Sequence, residues 1–588
     1  MDRDHPNPTF ARPGWVSLDG PWEFCLGSAG DDPLGLPFDR TIVVPFPPES
    51  AASGVGVDLA EEPRYRRTFT AHPAPGRRLL LHFEAVDHAA RVWVNGLLVG
   101  GHEGGYTPFV LDVTDALSAT GENVLVVAAS DPAHDPTIPR GKQTWRDAPE
   151  AIWYRRSSGI WRTVWLEDVP ATRLDAVHWV TLDAGARPRI AGTVSVAGLS
   201  AEQLEVTLTA TFRHGTTVVG RVTQVLTSPR AAFDVGLTHP GADPDDLVWH
   251  PDHPTLIEVA LTLARGTEVF DRVDSYTGVR TVAASRGRIR VNGRPLFQRL
   301  VLEQAYWPET QFTAPSREVL DAEARLVKDL GFNGLRMHQV SADPRFLRAC
   351  DELGLLVWAD VPAAHRFTEA AVERRASTLS ELVARDRNHP SVVAWVPFNE
   401  SWGVSNLAGN YWQRQAVERL HALATSLDPT RLALGNDGWE HVVGDVIGVH
   451  DYLHDPSRLG LKYGRALLPV TLALARPNNR PLLVGGWARV LRLLLGRTPV
   501  LLSEFGGVSL DHDPDAWEGY GGVRTVEALV RQVASLTDAA GPSSALAGFC
   551  WTQLTDVLQE QNGLAWPDRT PKAPVEQLAA ALRGGRRP

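Results

Sequence analysis

Two antiparallel β-sandwiches followed by a (β/α)8 barrel form the architecture that the sequence predicts, and three observations carry that prediction. The chain has 588 residues, several times the length of a single domain. Its first half reads as short runs of alternating apolar and polar residues broken by turn signals, the period of half-buried strands. After Arg286 the period changes, and strand-like runs alternate with amphipathic helical stretches.

Each part can be justified in order. Up to Val169, runs such as RRLLLHFEAV, NVLVVAAS and SGIWRTVWLEDV are punctuated by Asn95-Gly96 and Gly104-Gly105, as in an antiparallel sandwich with tight hairpins. From Pro170 to Ala283 a second series of strands begins with VHWVTLD and IAGTVSVAG. Roughly seven strands over about 110 residues is the immunoglobulin-like size class. The third part, 284–588, opens on IRVNGRPLFQRLVLE. Its first helix, SREVLDAEARLVKDLG, has Ser316 as a cap and Gly331 as a stop. Eight strands are predicted here: Leu296–Leu302, Gly334–Met337, Leu355–Ala359, Val392–Pro397, Leu432–Gly435, Val446–Val449, Val500–Ser503 and Ala547–Trp551. The connection Ser457–Thr498 is long and is expected to carry an extra helix or a lid.

Composition narrows the function classes. A net charge of −11 argues against nucleic acid, which needs basic surface; the short basic run Arg583–Arg587 reads as a solvated tail. Cys25, Cys350 and Cys550 show neither a disulfide framework nor metal-ligand spacing. No apolar leader or membrane-spanning run is visible, so the expected location is the cytoplasm. The 19 Trp residues suit a protein that handles ring-shaped polar ligands, although most must be packing residues.

Two carboxylates fall where a barrel places its chemistry, at the C-terminal ends of strands. Glu400 closes VVAWVPFNESWG after the fourth strand, and Glu504 closes PVLLSEFGG after the seventh. Either alone could be a helix N-cap acid or a buried ion-pair partner. As a pair across one pocket, they are what glycosidic cleavage requires, one protonated and one ionised. Desolvation and mutual repulsion would split their pKa values.

The strings NESWG (Asn399–Gly403) and SEFGG (Ser503–Gly507) resemble the acid/base and nucleophile signatures of glycoside hydrolase family 2. The resemblance covers almost the whole chain. PWEF, RYRRTF, VWVNGLLVGGHEGGYTPF and SGIWRTVWLE are similar to the family's N-terminal sugar-binding jelly roll, and LGFNGLRMHQ, IGVHDY and GFCWTQLTD to later barrel strands. The resemblance implies Glu400 as acid/base, Glu504 as nucleophile and Asn399 as a partner of the sugar 2-hydroxyl. It places Arg336 beside the nucleophile, His338 and Tyr452 along the subsite, and Trp551 as its aromatic floor; His450 and Asp451 belong to the same strand end. No step requires a cofactor; large β-galactosidases of this family use Mg and Na ions, but this sequence shows no clear ligand cluster for them, so no metal is expected. Family relatives often form oligomers.

Two departures bear on substrate. The third strand ends VWADVP, with Asp360 where relatives commonly carry Glu. Where β-glucuronidases hold the substrate carboxylate with an Asn-x-Lys pair, this chain has Glu560-Gln561-Asn562-Gly563. An acid there would repel a uronate. The expectation is an exo-acting retaining β-glycosidase on neutral sugars, most nearly a β-galactosidase. β-Mannosidase, arabinosidase and a catalytically inactive carbohydrate-binding protein are the alternatives.

Overall fold

The computed structural model describes residues 2–199, 205–476, 479–484, 498–510 and 519–584. The first sandwich packs a four-stranded antiparallel sheet against a six-stranded one. Its hairpin Val94–Leu97 turns at Asn95 and Gly96, both at positive φ, as the Asn-Gly signal requires. Alternate residues such as Phe24, Tyr65, Leu81, Val92 and Val127 fill the core between the sheets.

The second sandwich has seven strands in sheets of three and four. A small sheet, Val282–Ser285, Arg288–Val291 and Arg294–Pro295, then leads into the barrel.

All eight predicted barrel strands form: Gln298–Glu303, Gly334–Met337, Leu356–Asp360, Val392–Val396, Leu432–Ala433, Ile447–Asp451, Val500–Gly506 and Gly548–Thr552. They run parallel in the order 5-4-3-2-1-8-7-6. Strand alternation sorts their side chains into two cores. Leu300, Leu302, Leu356, Trp358 and Leu501 meet Ile289 of the small sheet in one. Val301, Val357, Leu502 and Phe549 pack with Leu320, Val327, Leu379 and other helix residues in the second. Ser316 caps the helix Arg317–Asp329 through Val319 N–H, as expected.

The barrel departs from strict alternation at one point. Residues 434–446, between the fifth and sixth strands, form no helix. The stretch LGNDGWEHVVGDV carries three glycines and buries Asn436, Asp437 and Glu440, so its polar groups serve the barrel mouth. No ladder joins strands five and six among the described residues. In the long connection after the sixth strand, helices span Pro456–Lys462 and Leu468–Leu474; residues 477–478 and 485–497 lie outside the described residues, as do 585–588 of the basic run.

Candidate active site

The mouth of the barrel is organised around Arg336, which is fully buried at the end of the second strand. Its guanidinium makes paired hydrogen bonds of 2.9 Å to Asp360. It also donates to Asp437 at 2.5 Å and to Asn399 Oδ1 at 2.8 Å, and approaches Glu504 at 3.4 Å. A buried arginine needs such compensation, because a lone charge there is costly. Burial would lower the Arg336 pKa, but the surrounding carboxylates raise it well above the usual value.

Glu504 is buried on the seventh strand and accepts from the Tyr452 hydroxyl at 2.6 Å. Burial pushes its pKa up to about 7, with the Glu400 charge adding to the rise, while His450, Arg336 and Tyr452 pull it down. Burial and the neighbouring Glu504 also raise Tyr452 well above the phenol range, so it stays a neutral donor.

Glu400 and Ser401 both adopt positive φ in the turn after the fourth strand. The 434–446 loop holds that turn: Glu400 N–H donates to Asp437 O at 2.9 Å, and Ser401 N–H to Asn436 Oδ1 at 2.9 Å. Ser401 Oγ donates to Glu440 at 2.5 Å. Backbone strain of this kind persists only where the surroundings over-determine it.

His450 lies between the two carboxylates. Its Nδ1 is 2.7 Å from Glu400 Oε1 and 3.3 Å from Glu504 Oε2, and its Nε2 is 3.0 Å from Asp437. Burial opposes its charge, but Glu504, Asp437 and Glu400 outweigh that and push its pKa up to about 10. It is therefore a cation donating from both ring nitrogens at neutral pH. One ligand atom each from Glu400, His450 and Glu504 lie within 4.8 Å of one another. That spacing could hold a metal ion, but the ring nitrogen already faces both carboxylates at hydrogen-bond range, so a proton satisfies the arrangement.

The other expected residues are placed as follows. His338 Nδ1 is 2.9 Å from Asp360 and 3.9 Å from Glu504; burial lowers its pKa to about 4, so it is neutral. Asn399 is fully buried, and its Nδ2 has no protein hydrogen-bond partner. Trp551 is fully buried, edge-on to Phe505, and a Cβ on Gly506 would meet its ring at 2.7 Å. It supports the strand end that carries Glu504 and exposes no surface of its own. Asp451 turns away from the pair, toward Lys462 Nζ at 2.5 Å and the Tyr463 hydroxyl at 2.7 Å.

Several site residues lie outside that set. Asp437 follows the fifth strand in LGNDGWE, so the test that singled out Glu400, a polar group directly after a buried strand, also fits it. Tyr520 stacks on Tyr452 at 3.4 Å and 2°. Lys142 and Tyr154, from the first sandwich, both reach Glu560 on the loop after the eighth strand, at 3.2 and 2.5 Å. No local pattern could have signalled that a loop of the first domain enters the barrel mouth.

Known proteins share this framework. A family model described as "Glycosyl hydrolases family 2, sugar binding domain" matches residues 56–170, and one described as "Glycosyl hydrolases family 2, TIM barrel domain" matches residues 282–455. A β-galactosidase of Thermoanaerobacter pseudethanolicus is 31% identical over 57% of this chain and 44% of that protein. A putative β-glucuronidase of Formosa agariphila is 28% identical over 60% of this chain and 41% of that protein. The chain thus spans less than half the length of these two relatives. Among solved structures, a β-glucuronidase of Bifidobacterium dentium superposes with a TM-score of 0.78 at 21% identity, covering 98% of each chain, which shows the shared fold.

Proposed function

Because this chain belongs to glycoside hydrolase family 2, we propose that it is a retaining β-glycosidase acting on terminal neutral sugars, β-galactoside above all. The observation that carries the mechanism is the closeness of its two carboxyl groups, which bring one oxygen each within 4.8 Å. Inverting enzymes need about 6.5–9.5 Å between carboxyl groups to admit a water, whereas retaining enzymes hold them about 5–5.5 Å apart.

Glu504, ionised with the help of His450, Arg336 and Tyr452, attacks the anomeric carbon. Glu400 gives its proton to the glycosidic oxygen as that bond breaks, and the aglycone leaves as an alcohol. A covalent glycosyl-Glu504 ester remains. Water then attacks the same carbon, losing its proton to Glu400, and Glu504 departs as carboxylate. Asn399 Nδ2 is the donor left for a sugar hydroxyl.

Support for a neutral sugar comes from Glu560. It is buried and shared by Lys142 and Tyr154, so the nearby cation is already neutralised and a uronate carboxylate would meet a second negative charge.

Two experiments test the reading. A panel of 4-nitrophenyl β-galactoside, β-glucuronide, β-mannoside and α-arabinoside is expected to give the galactoside the highest kcat/KM; preference for the glucuronide would overturn the neutral-sugar assignment. Glu504→Gln is expected to lose activity by several orders of magnitude. The wild type should be trapped by a 2-fluoro glycoside as an adduct on Glu504. A carbohydrate-binding protein without catalysis would form none.

A further inference from the structure

The rim of this mouth is built by the first sandwich. Its segment 140–158 leaves that domain and docks on the barrel. Arg140 and Gly141 N–H both donate to Ala363 O, at 2.8 and 3.1 Å. His365 Nε2 lies 3.1 Å from Gly141 O. The segment then folds back as a hairpin-shaped loop: Thr144 N–H donates to Tyr154 O and Tyr154 N–H to Lys142 O, a parallel bridge, while Glu150 and Trp153 exchange both backbone bonds in an antiparallel one. Gln559, after the eighth strand, clamps its tip through Ala151 O and Trp153 O at 2.8 and 3.0 Å. The hairpin is thus held to the barrel from two sides.

It carries two different rungs. The inner one is polar, with Lys142 and Tyr154 on Glu560. The outer one is aromatic: Trp145 and Trp153 meet at 5.0 Å, Trp145 stacks on His365 at 4.1 Å, and Trp153 lies against Trp402 at 4.8 Å. All three indoles are only half-buried. Trp402 sits two residues after Glu400 in the same turn, and its ring edges onto His338 at 6.0 Å.

That position has a chemical consequence. A general acid must lie beside the leaving oxygen, so the surface flanking Glu400 at the rim faces the aglycone and not the sugar. Three partly open indoles at that surface offer apolar faces to a planar ring.

We propose that Trp145, Trp153 and Trp402, backed by His365, form an aglycone platform for leaving groups with a flat apolar ring face, aromatic alcohols first. The first sandwich then sets leaving-group specificity for a catalytic centre held by the barrel. The platform rests on the assignment of Glu400 as the acid.

The test compares Trp145→Ala and Trp153→Ala with wild type on two substrates sharing one sugar: the 4-nitrophenyl β-galactoside and the β-galactosyl fluoride (or the same pair for whichever sugar the panel selects). Fluoride is too small to reach the rim. The alanine variants are expected to lower kcat/KM for the aryl glycoside roughly 3- to 10-fold, mainly through KM, with the fluoride within twofold of wild type. Trp153→Phe should recover most of the loss because it keeps a ring. A parallel fall on both substrates would make the tryptophans structural props, and no change on either would remove the platform; both overturn the proposal. An inactive wild type on every substrate would instead sink the glycosidase reading itself. A disaccharide with a reducing-end sugar serves as a third arm. A loss on it equal to the aryl loss widens the platform to sugar rings, and no loss confines it to aromatic ones.

Discussion

His450 puts one N–H against both carboxylates that the proposed mechanism uses. The Asp437–Arg336 pair behind it keeps that cation in place. Replacing it tests how Glu504 stays ionised. The proposed mechanism needs Glu504 as carboxylate, so activity is expected to fall as pH drops through its pKa, which burial raises to about 7. A neighbouring cation lowers that pKa, so removing the cation raises it. In His450→Asn the acidic limb of kcat/KM should therefore move to higher pH, by about one unit or more. A limb that stays put would assign the whole effect to Arg336 and Tyr452. Glu400→Gln should lose about 10²- to 10⁴-fold on substrates with poor leaving groups, and far less on the fluoride, whose departure needs little protonation; equal losses on both would remove Glu400 from the acid's role.

At the scale of elements, the 434–446 loop replaces a helix with a polar scaffold. Gly438 has φ +86 and lies over His450, where a Cβ would come 2.4 Å from the imidazole. Gly438→Ala must therefore strain the backbone and push His450 out from between the carboxylates. The expected outcome is a loss of stability of about 1–3 kcal/mol together with a fall in kcat/KM, read by denaturant unfolding and kinetics on the same preparation. Asp437→Asn leaves Arg336 under-compensated in the interior. Breaking a buried pair in this way costs about 3–5 kcal/mol. The Asp437 pKa is depressed to about 2: burial opposes this, but Arg336 and His450 outweigh it. Its contribution is therefore present above the unfolded carboxylate value and fades as pH falls toward 2, so the wild-type and Asp437→Asn stability curves should converge in acid. Curves that stay parallel would contradict the ion-pair account.

For the whole molecule, the question is how two domains share one site. Gly141 is the tightest point of that contact: its φ is +59, and a Cβ there would lie 1.9 Å from Gln339 O. No side chain fits. Gly141→Ala should therefore loosen the hairpin from the barrel mouth, raising KM for aryl glycosides while the jelly-roll core, remote from the substitution, remains folded. Limited proteolysis within 140–158 should accelerate in that variant; unchanged cleavage would mean that the Gln559 clamp alone holds the hairpin.

Much of this was legible in one dimension because its causes are local. Strand alternation, the Asn95-Gly96 turn and the Ser316 cap each depend on a few neighbouring residues, and all three formed as read. Glu400 and Glu504 stood out because a charged residue closing a buried apolar strand is visible within a dozen positions. What surrounds them was decided only in three dimensions. Asp437 meets Arg336 across 101 residues and Lys142 meets Glu560 across 418. Whether a carboxylate is paired, bridged by a histidine or met by another domain's lysine and tyrosine depends on where separate loops converge, and no short-range period encodes that. The barrel and its two glutamates therefore follow from sequence, whereas their protonation and the aromatic cluster of Trp145, Trp153 and Trp402 follow from the packing of strand ends and a segment of the first sandwich into one mouth.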